Sequence, residues 1–469
     1  MSNKFTTDIV IGLEIHVELA TDSKLFCGCA THGTDEPNTR CCEVCLGMPG
    51  SKPVLNKKAV DYAIRLCLAL GCKISPELVF SRKSYFYPDM AKNYQITQYE
   101  IPLGIKGKLR ILDGKEVGIT RVHMEEDPAA LIHPAGMQDS KFVLVDYNRS
   151  GDPLVEVVTE PDLESPEEAR DFMKQLITVL NYLDIFDQNR CIIKADANVS
   201  IKETDYTRVE IKNITGFKEI ERALKYEVER QKQEVDKIVQ ETRAWDSEVG
   251  VTRSMRKKEV EEEYGYIIDP DLVKTEITTE WIKEVSDEMP ELAQEKALRF
   301  ARDFKITEED AKIIAAERLL AELFEKVAEA VDPVLAAKWL RRELVRVVNY
   351  NNKELKDLVM DEKHLIELLK MVEEKVITDA VAKKILEELI EKPFSPKDYV
   401  AKMGVKRVTD AKQIQRFCEE AIKENPKAVE DFKAGEQKSL QFLIGQVMRK
   451  SKGQADPAMV NNLMKELIK

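Results

Sequence analysis

The stretch Gly12-Leu13-Glu14-Ile15-His16-Val17-Glu18 constrains this chain more than any other segment. It lies inside an alternating run from Asp8 to Leu19, with Ile9, Ile11, Leu13, Ile15, Val17 and Leu19 on one parity and Glu14, His16 and Glu18 on the other. A period of two predicts a strand with one apolar face. Because a strand rises about 3.3 Å per residue, its other face carries two carboxylates and an imidazole spaced about 6–7 Å apart. Acids and an imidazole on one rigid element suit a hard divalent cation or a proton-transfer site. For a lone strand, a plain solvated face fits as well.

At 469 residues the chain exceeds what one core supports, so several domains are expected. No run of 18 apolar residues is present, which predicts no transmembrane helix, and Met1–Phe5 lack the apolar core of a signal peptide. Nine cysteines are present, and Cys27, Cys29, Cys41, Cys42 and Cys45 crowd into one short segment. An odd count without a signal sequence points to reduced thiols in the cytoplasm, with metal favoured over disulfides. The net charge of −13 does not advertise a nucleic-acid binder. Its distribution is uneven: residues 401–469 hold fourteen Lys/Arg and nine Asp/Glu, a local charge of +5, against −18 for the rest. A basic C-terminal unit on an acidic body suggests a tail that meets a polyanion; an ordinary lysine-rich helical face is the plainer alternative.

Residues 1–290 mix strand signals with turns and a few helices. Ile119–Glu126, Phe142–Tyr147 and Leu154–Val158 read as strands, and Cys191–Ile201 with Thr207–Ile214 as a β pair. Ser165-Pro166-Glu167-Glu168 opens a helix through Phe172, Leu176, Val179 and Leu183, and a charged helix runs from Lys218 to about Val239. This predicts an α+β domain with a mostly antiparallel sheet. Residues 291–400 read as an all-α helical domain with breaks near Lys305–Thr307, Asp332-Pro333 and Asn351-Asn352. Lys392-Pro393-Phe394-Ser395-Pro396 reads as a linker, and residues 401–469 as a small α-helical tail.

Four segments carry chemistry. Cys27-Gly28-Cys29 and Cys42-Glu43-Val44-Cys45 have the spacing of a tetrahedral Zn2+ site of structural type, with Cys41 and His32 as alternative ligands. An iron–sulfur cluster or a redox dithiol is the competing reading. Arg121-Val122-His123-Met124-Glu125-Glu126-Asp127 ends a strand-like run in three acids, and Glu156 sits inside the aliphatic run Leu154–Val158, where a carboxylate is costly unless paired or metal-bound. Glu14, His16, one or both of Glu125 and Glu126, and Glu156 would then meet around Mg2+, which often bridges nucleotide phosphates. Arg149, Arg190, Lys194, Lys212 and Arg253 lie near predicted turns and strand ends, where they would clamp phosphates or serve as surface charges. No Walker A loop, dinucleotide fingerprint or Gly-x-Ser-x-Gly elbow is present, so a nucleotide site would be non-standard. Finally, Met448-Arg449-Lys450-Ser451-Lys452-Gly453 reads as a basic turn near the C-terminus, before a helix capped by Ala455-Asp456-Pro457. A non-catalytic RNA-binding scaffold is the alternative to an enzyme on these features.

The segments GLEIHVEL, SKLFCGCA and CEVCLGMPG, RKSYFYPDMAKNYQITQ, GITRVHMEEDPA, DYNRSGDPLVEVVTEPD and FLIGQVMRKSKGQADPAMVNNLMKELI together resemble the B subunit of the tRNA-dependent amidotransferase, over residues 8–469. The resemblance implies a cradle domain, a helical domain and a tRNA-gripping tail. It implies a protein that uses ATP and Mg2+ to phosphorylate the side-chain carboxylate of Asp-tRNA(Asn) or Glu-tRNA(Gln). Ammonia from an amidase A subunit then displaces phosphate, and a small C subunit completes a heterotrimer. The family's metal ligands fall on Glu14, His16, Glu125 or Glu126, and Glu156, and its structural zinc ligands on Cys27, Cys29, Cys42 and Cys45. Glu126, Glu156 and His16 are the expected catalytic groups, and Arg149, Lys194 and Lys212 the expected nucleotide contacts. Bacterial relatives typically carry a DYRYFPEPD-like segment where this chain has Glu263–Asp271.

Overall fold

The computed structural model describes residues 8–112, 114–134, 140–257, 264–408 and 410–468. Met1–Phe5 and Glu263, which enter the sequence reading, lie outside the described residues. The chain forms two compact units, Met1–Leu292 and Ala293–Lys469.

The first unit is built on a nine-stranded sheet, labelled here in chain order: β1 (Ile9–Glu18), β2 (Lys73–Ile74), β3 (Gly104–Arg110), β4 (Glu116–Glu126), β5 (Pro153–Thr159), β6 (Ile193–Ile201), β7 (Val209–Thr215), β8 (Glu241–Asp246) and β9 (Val251–Lys257). Their spatial order is β9-β8-β7-β6-β1-β5-β4-β3-β2, so β1 occupies the middle. The strands pair antiparallel throughout except β7 with β8, which run parallel.

The alternation in β1 does what its period requires. Ile9, Ile11, Leu13, Ile15 and Val17 are each at most 3% exposed, while Val10, Gly12, Glu14, His16 and Glu18 look the other way. The apolar face packs on helices α1 (Lys57–Ala69), α2 (Pro166–Leu183) and α3 (Phe217–Gln233), which bring Ile64, Phe172, Leu176 and Leu224 into one core with the strands. Covering one face and leaving the other wet is the usual solution for an antiparallel sheet. Ser165 caps α2 by accepting from the Glu168 amide, with Pro166 in the first turn, and Asp184 ends the helix in the left-handed region at φ 55°. The helix expected to reach Val239 stops at Gln233: the chain turns through Val235–Lys237 and enters β8. Among the described residues three shorter sheets accompany the main one, including Gly265–Ile268, Ser81–Ser84 and Tyr94–Thr97 in a three-stranded array.

The second unit is helical and holds two separate apolar cores, one drawn from Ala297 to Val400 and one from Ile414 to Ile468. Thr307 and Asp332 cap helices at two of the expected breaks. The Lys392–Pro396 stretch is packed rather than a free linker: Ser395 caps the helix Pro396–Met403, Phe394 stacks on Tyr399 at 5.0 Å, and Val400 is buried in the first core. The two cores are stitched together by the Arg407 amide donating to the Val376 carbonyl (2.8 Å) and by Thr378 Oγ1 donating to the Gly453 carbonyl. Gly453 has φ 83° with Ala380 Cβ close by, so a side chain there would be both strained and crowded.

No described helix is long and apolar enough to cross a membrane.

Candidate functional site

The polar face of the sheet gathers its charges because pairing register is fixed. His16 on β1 lies directly opposite Glu156 on β5 and Lys194 on β6, and Glu156 in turn lies opposite His123 on β4. Four side chains therefore form one row across four strands, since directly opposed residues share a face. Glu125 joins from β4, two residues after His123 and so on the same face. His16 Nε2 is 3.4 Å from Glu125 Oε1 and 3.6 Å from Glu156 Oε2, and His123 Nε2 is 3.1 Å from the same Glu156 oxygen. Ligand atoms of His16, Glu125 and Glu156 all fall within 4.8 Å of one another.

Lys194, His16 and Glu156 of this row line a cleft of about 280 Å3, together with Glu125, Glu14, Glu18, Lys83, Tyr85, Gln95, Asp127, Arg149, Asp196 and Lys212, while His123 is buried beside Glu156. Glu14 sits one step along β1, opposite Asp196, and accepts from Asn198 Nδ2 at 3.1 Å. Lys212 Nζ bridges Asp196 and Glu210, each at 3.1 Å. Arg149 is set by its own loop: Nε reaches Asp127 Oδ2 at 3.2 Å, and the guanidinium donates to the carbonyls of Pro128 and Ala129 at 3.1 Å. A second recess of about 220 Å3 adjoins, sharing Glu14 and lined by Val10, Gly12, Leu13, Thr159, Pro161 and Arg208.

Electrostatics follow from burial and crowding. Burial raises the Glu125 carboxyl, and burial with the nearby Glu156 raises Glu14. Burial pushes Glu156 up as well, but the imidazoles of His123 and His16 outweigh it and hold that carboxyl well below the usual range. Burial disfavours the His16 imidazolium, yet Glu156 and Glu125 overcome it and the net direction is up. Burial lowers Lys212, and Asp196 with Glu210 more than restore it. Asp127 is pushed up to about 7 by burial. One imidazole and two carboxylates fixed on a rigid sheet fit a divalent cation, and His123 Nδ1 is buried with no hydrogen-bond partner.

The structure separates the sequence candidates. Glu14, His16, Glu125, Glu156, Arg149, Lys194 and Lys212 share the cleft. Glu126 does not: next to Glu125 in a strand, it faces the other side, where its carboxylate takes Lys92 Nζ at 2.6 Å and the Ile96 amide at 2.8 Å. Arg190 lines a separate small pocket beside His32, and Arg253 pairs with Asp246 at 3.0 Å on the sheet's far edge. The sequence reading assigned His123 no role of its own and did not single out Lys83, Tyr85 or Gln95. His123 was legible in principle, because it shares the parity of Glu125; Lys83 and Gln95 come from a separate small sheet and Tyr85 from the loop between its strands.

Cys27, Cys29, Cys42 and Cys45 bring their sulfurs within 4.8 Å of one another. A tetrahedral Zn2+ with Zn–S of about 2.3 Å spaces its sulfurs about 3.8 Å apart, so the set fits such an ion. Cys41 is turned away and donates to the Asn38 carbonyl at 3.2 Å, and His32 contacts Thr31 and Arg190 instead. The Cys45 thiol is pulled down to about 5, chiefly by its hydrogen bond from Cys27. This knuckle is tied to the Arg149 loop: the Arg40 amide donates to Asn148 Oδ1 (2.7 Å), Asn148 Nδ2 to the Glu36 carbonyl (2.8 Å) and Ser150 Oγ to the Cys45 carbonyl (3.1 Å).

Comparison with known proteins gives two family matches: the GatB/GatE catalytic domain over residues 9–283 and the GatB domain over residues 322–468. Among curated relatives, proteins named as the B subunit of aspartyl/glutamyl-tRNA(Asn/Gln) amidotransferase are similar over nearly full length. The protein from Caldanaerobacter subterraneus subsp. tengcongensis is 42% identical, covering 98% of each chain. That from Thermodesulfovibrio yellowstonii is 42% identical over 98% of this chain and 99% of its own. That from Brevibacillus brevis is 41% identical over 98% of each.

Proposed function

The chain belongs to the GatB/GatE family, and on that premise we propose that its cleft activates the side-chain carboxylate of an aspartyl or glutamyl group esterified to tRNA(Asn) or tRNA(Gln). The enzyme class is an ATP-dependent carbon–nitrogen ligase with glutamine as the amide donor. The chain works as the B component of a multi-subunit complex, beside an amidase A subunit and a small C subunit.

A carboxylate is a poor acyl donor because its leaving group would be an oxide. Attack of the carboxylate oxygen on the γ-phosphorus of ATP breaks the bond to ADP and gives an acyl phosphate; ammonia then attacks the carbonyl carbon and inorganic phosphate leaves. His16, Glu125 and Glu156 would hold Mg2+, which supplies charge neutralisation for the phosphates. Lys194, Lys212 and Arg149 meet the phosphate oxygens with fixed positive charge. Glu14 lines both the cleft and the adjoining recess, and that recess would take the base of the nucleotide. The four-cysteine knuckle would take a structural Zn2+ and hold the Arg149 loop.

The residues 401–469 supply the tRNA grip, through exposed cations such as Arg449 and Lys452.

The observation that carries this reading is the row Lys194–His16–Glu156, with Glu125 beside it, in a cleft lined by the further cations Lys83, Arg149 and Lys212. The test is amide formation by the reconstituted complex with ATP, ammonium and each misacylated tRNA. Glu125→Gln is expected to abolish amide formation even when ammonium replaces glutamine. Unchanged product formation by that variant would sink the assignment.

A further inference from the structure

Beside the cleft, the loop Tyr85–Asn93 joins the strands Ser81–Ser84 and Tyr94–Thr97. It is firmly tethered. The Tyr85 amide donates to the Asn93 carbonyl (3.1 Å), the Met90 amide to the Tyr87 carbonyl (3.0 Å) and the Ala129 amide to the Asp89 carbonyl (3.1 Å), while Lys92 is clamped by the buried Glu126. Yet this anchored loop presents Phe86 at 88% exposure and Tyr87 at 52%. Tyr85, the preceding residue, lines the cleft and meets Tyr264 edge-on at 5.8 Å; the Lys83 ammonium lies 4.8 Å from the Tyr264 ring centre. Single exposed apolar residues are ordinary, but here two adjacent exposed aromatic residues directly follow the cleft-lining Tyr85, which itself belongs to a cation–aromatic cluster.

We propose that Phe86 and Tyr87 form a stacking platform for the unpaired 3′-terminal nucleotides of the aminoacylated tRNA. The inference rests on the functional reading above and deepens it. Only a handful of bonds separate a side-chain carboxylate from the terminal ribose that carries it. A carboxylate seated near His16 and Glu125 therefore puts the terminal nucleotides at the rim, where rigid aromatic faces beside a positive charge are what unpaired bases use. Stacking tolerates any base, as a shared tRNA terminus requires.

The experiment compares intact tRNA with tRNA lacking its unpaired 3′ nucleotides, both binding to the reconstituted complex. The wild type should prefer intact tRNA by roughly tenfold or more, and the Phe86→Ala/Tyr87→Ala variant should bind both forms at the weaker level. Phe86→Trp should keep the preference, and its added fluorescence should be quenched by intact tRNA only. A double variant that keeps the full preference overturns the platform and leaves the functional reading standing, as does a wild type that binds both forms equally. A double variant that no longer assembles with the other subunits marks this loop as an assembly contact and also overturns the platform. A wild-type complex that binds no tRNA overturns the functional reading itself.

Discussion

Glu125 and Glu126 are consecutive, yet Glu125 meets His16 at 3.4 Å on the cleft side of β4 while Glu126 grips Lys92 at 2.6 Å on the other. The two substitutions should therefore fail in different ways. Glu125→Gln should lower ammonium-supported amide formation by about 10²-fold or more with unfolding little changed. Glu126→Gln should cost about 1–3 kcal/mol of stability, because it weakens a buried ion pair and the bond from the Ile96 amide. Parallel kinetics and thermal melts separate them.

His123 supports the proposed cation site without standing among the three clustered groups His16, Glu125 and Glu156. Its Nε2 lies 3.1 Å from Glu156 Oε2, and the ring is 4% exposed. Removing it with His123→Ala should weaken divalent-cation binding by about 10–100-fold, read as Mn2+ titration by paramagnetic resonance. Turnover at saturating metal should largely recover, which distinguishes a positioning role from a chemical one.

The four-cysteine knuckle should carry about one Zn2+ per chain by elemental analysis, lost in Cys45→Ser. Losing it should lower the first melting transition by on the order of 10 °C. Because Asn148 and Ser150 bind the knuckle, amide exchange should quicken across 146–152 and stay unchanged in β6 and β7. Iron in place of zinc, or no metal at all, would contradict this.

Arg449 and Lys452 are exposed at the end of the helix Gln437–Lys450, whereas Lys450 is engaged with Glu424 at 2.7 Å. Reversing the charge at Arg449 or Lys452 should weaken tRNA binding across tRNA species and lower the slope of log affinity against log salt by about one per contact. Lys450→Glu should do less. Filter binding over a salt series reads both.

Much of this protein was written in local pattern. The period-two run of β1, the Ser165-Pro166 helix start and the paired cysteines each fix their outcome within a few residues, because pleat, cap and knuckle are short-range geometry. The same parity rule could have chosen Glu125 over Glu126 and brought in His123, had it been carried along β4. What neighbouring residues could not determine was register: only the pairing of β1 with β5 and β6, and of β5 with β4, sets Lys194, His16, Glu156 and His123 in one row. Arg149, Arg190 and Arg253 look alike in sequence, and long-range packing alone sent the first to the cleft and the others elsewhere. The second unit's two cores likewise owe their contact to residues far apart in the chain, Val376 with Arg407 and Thr378 with Gly453. Local chemistry named the groups, and the burial of one sheet face decided which of them meet.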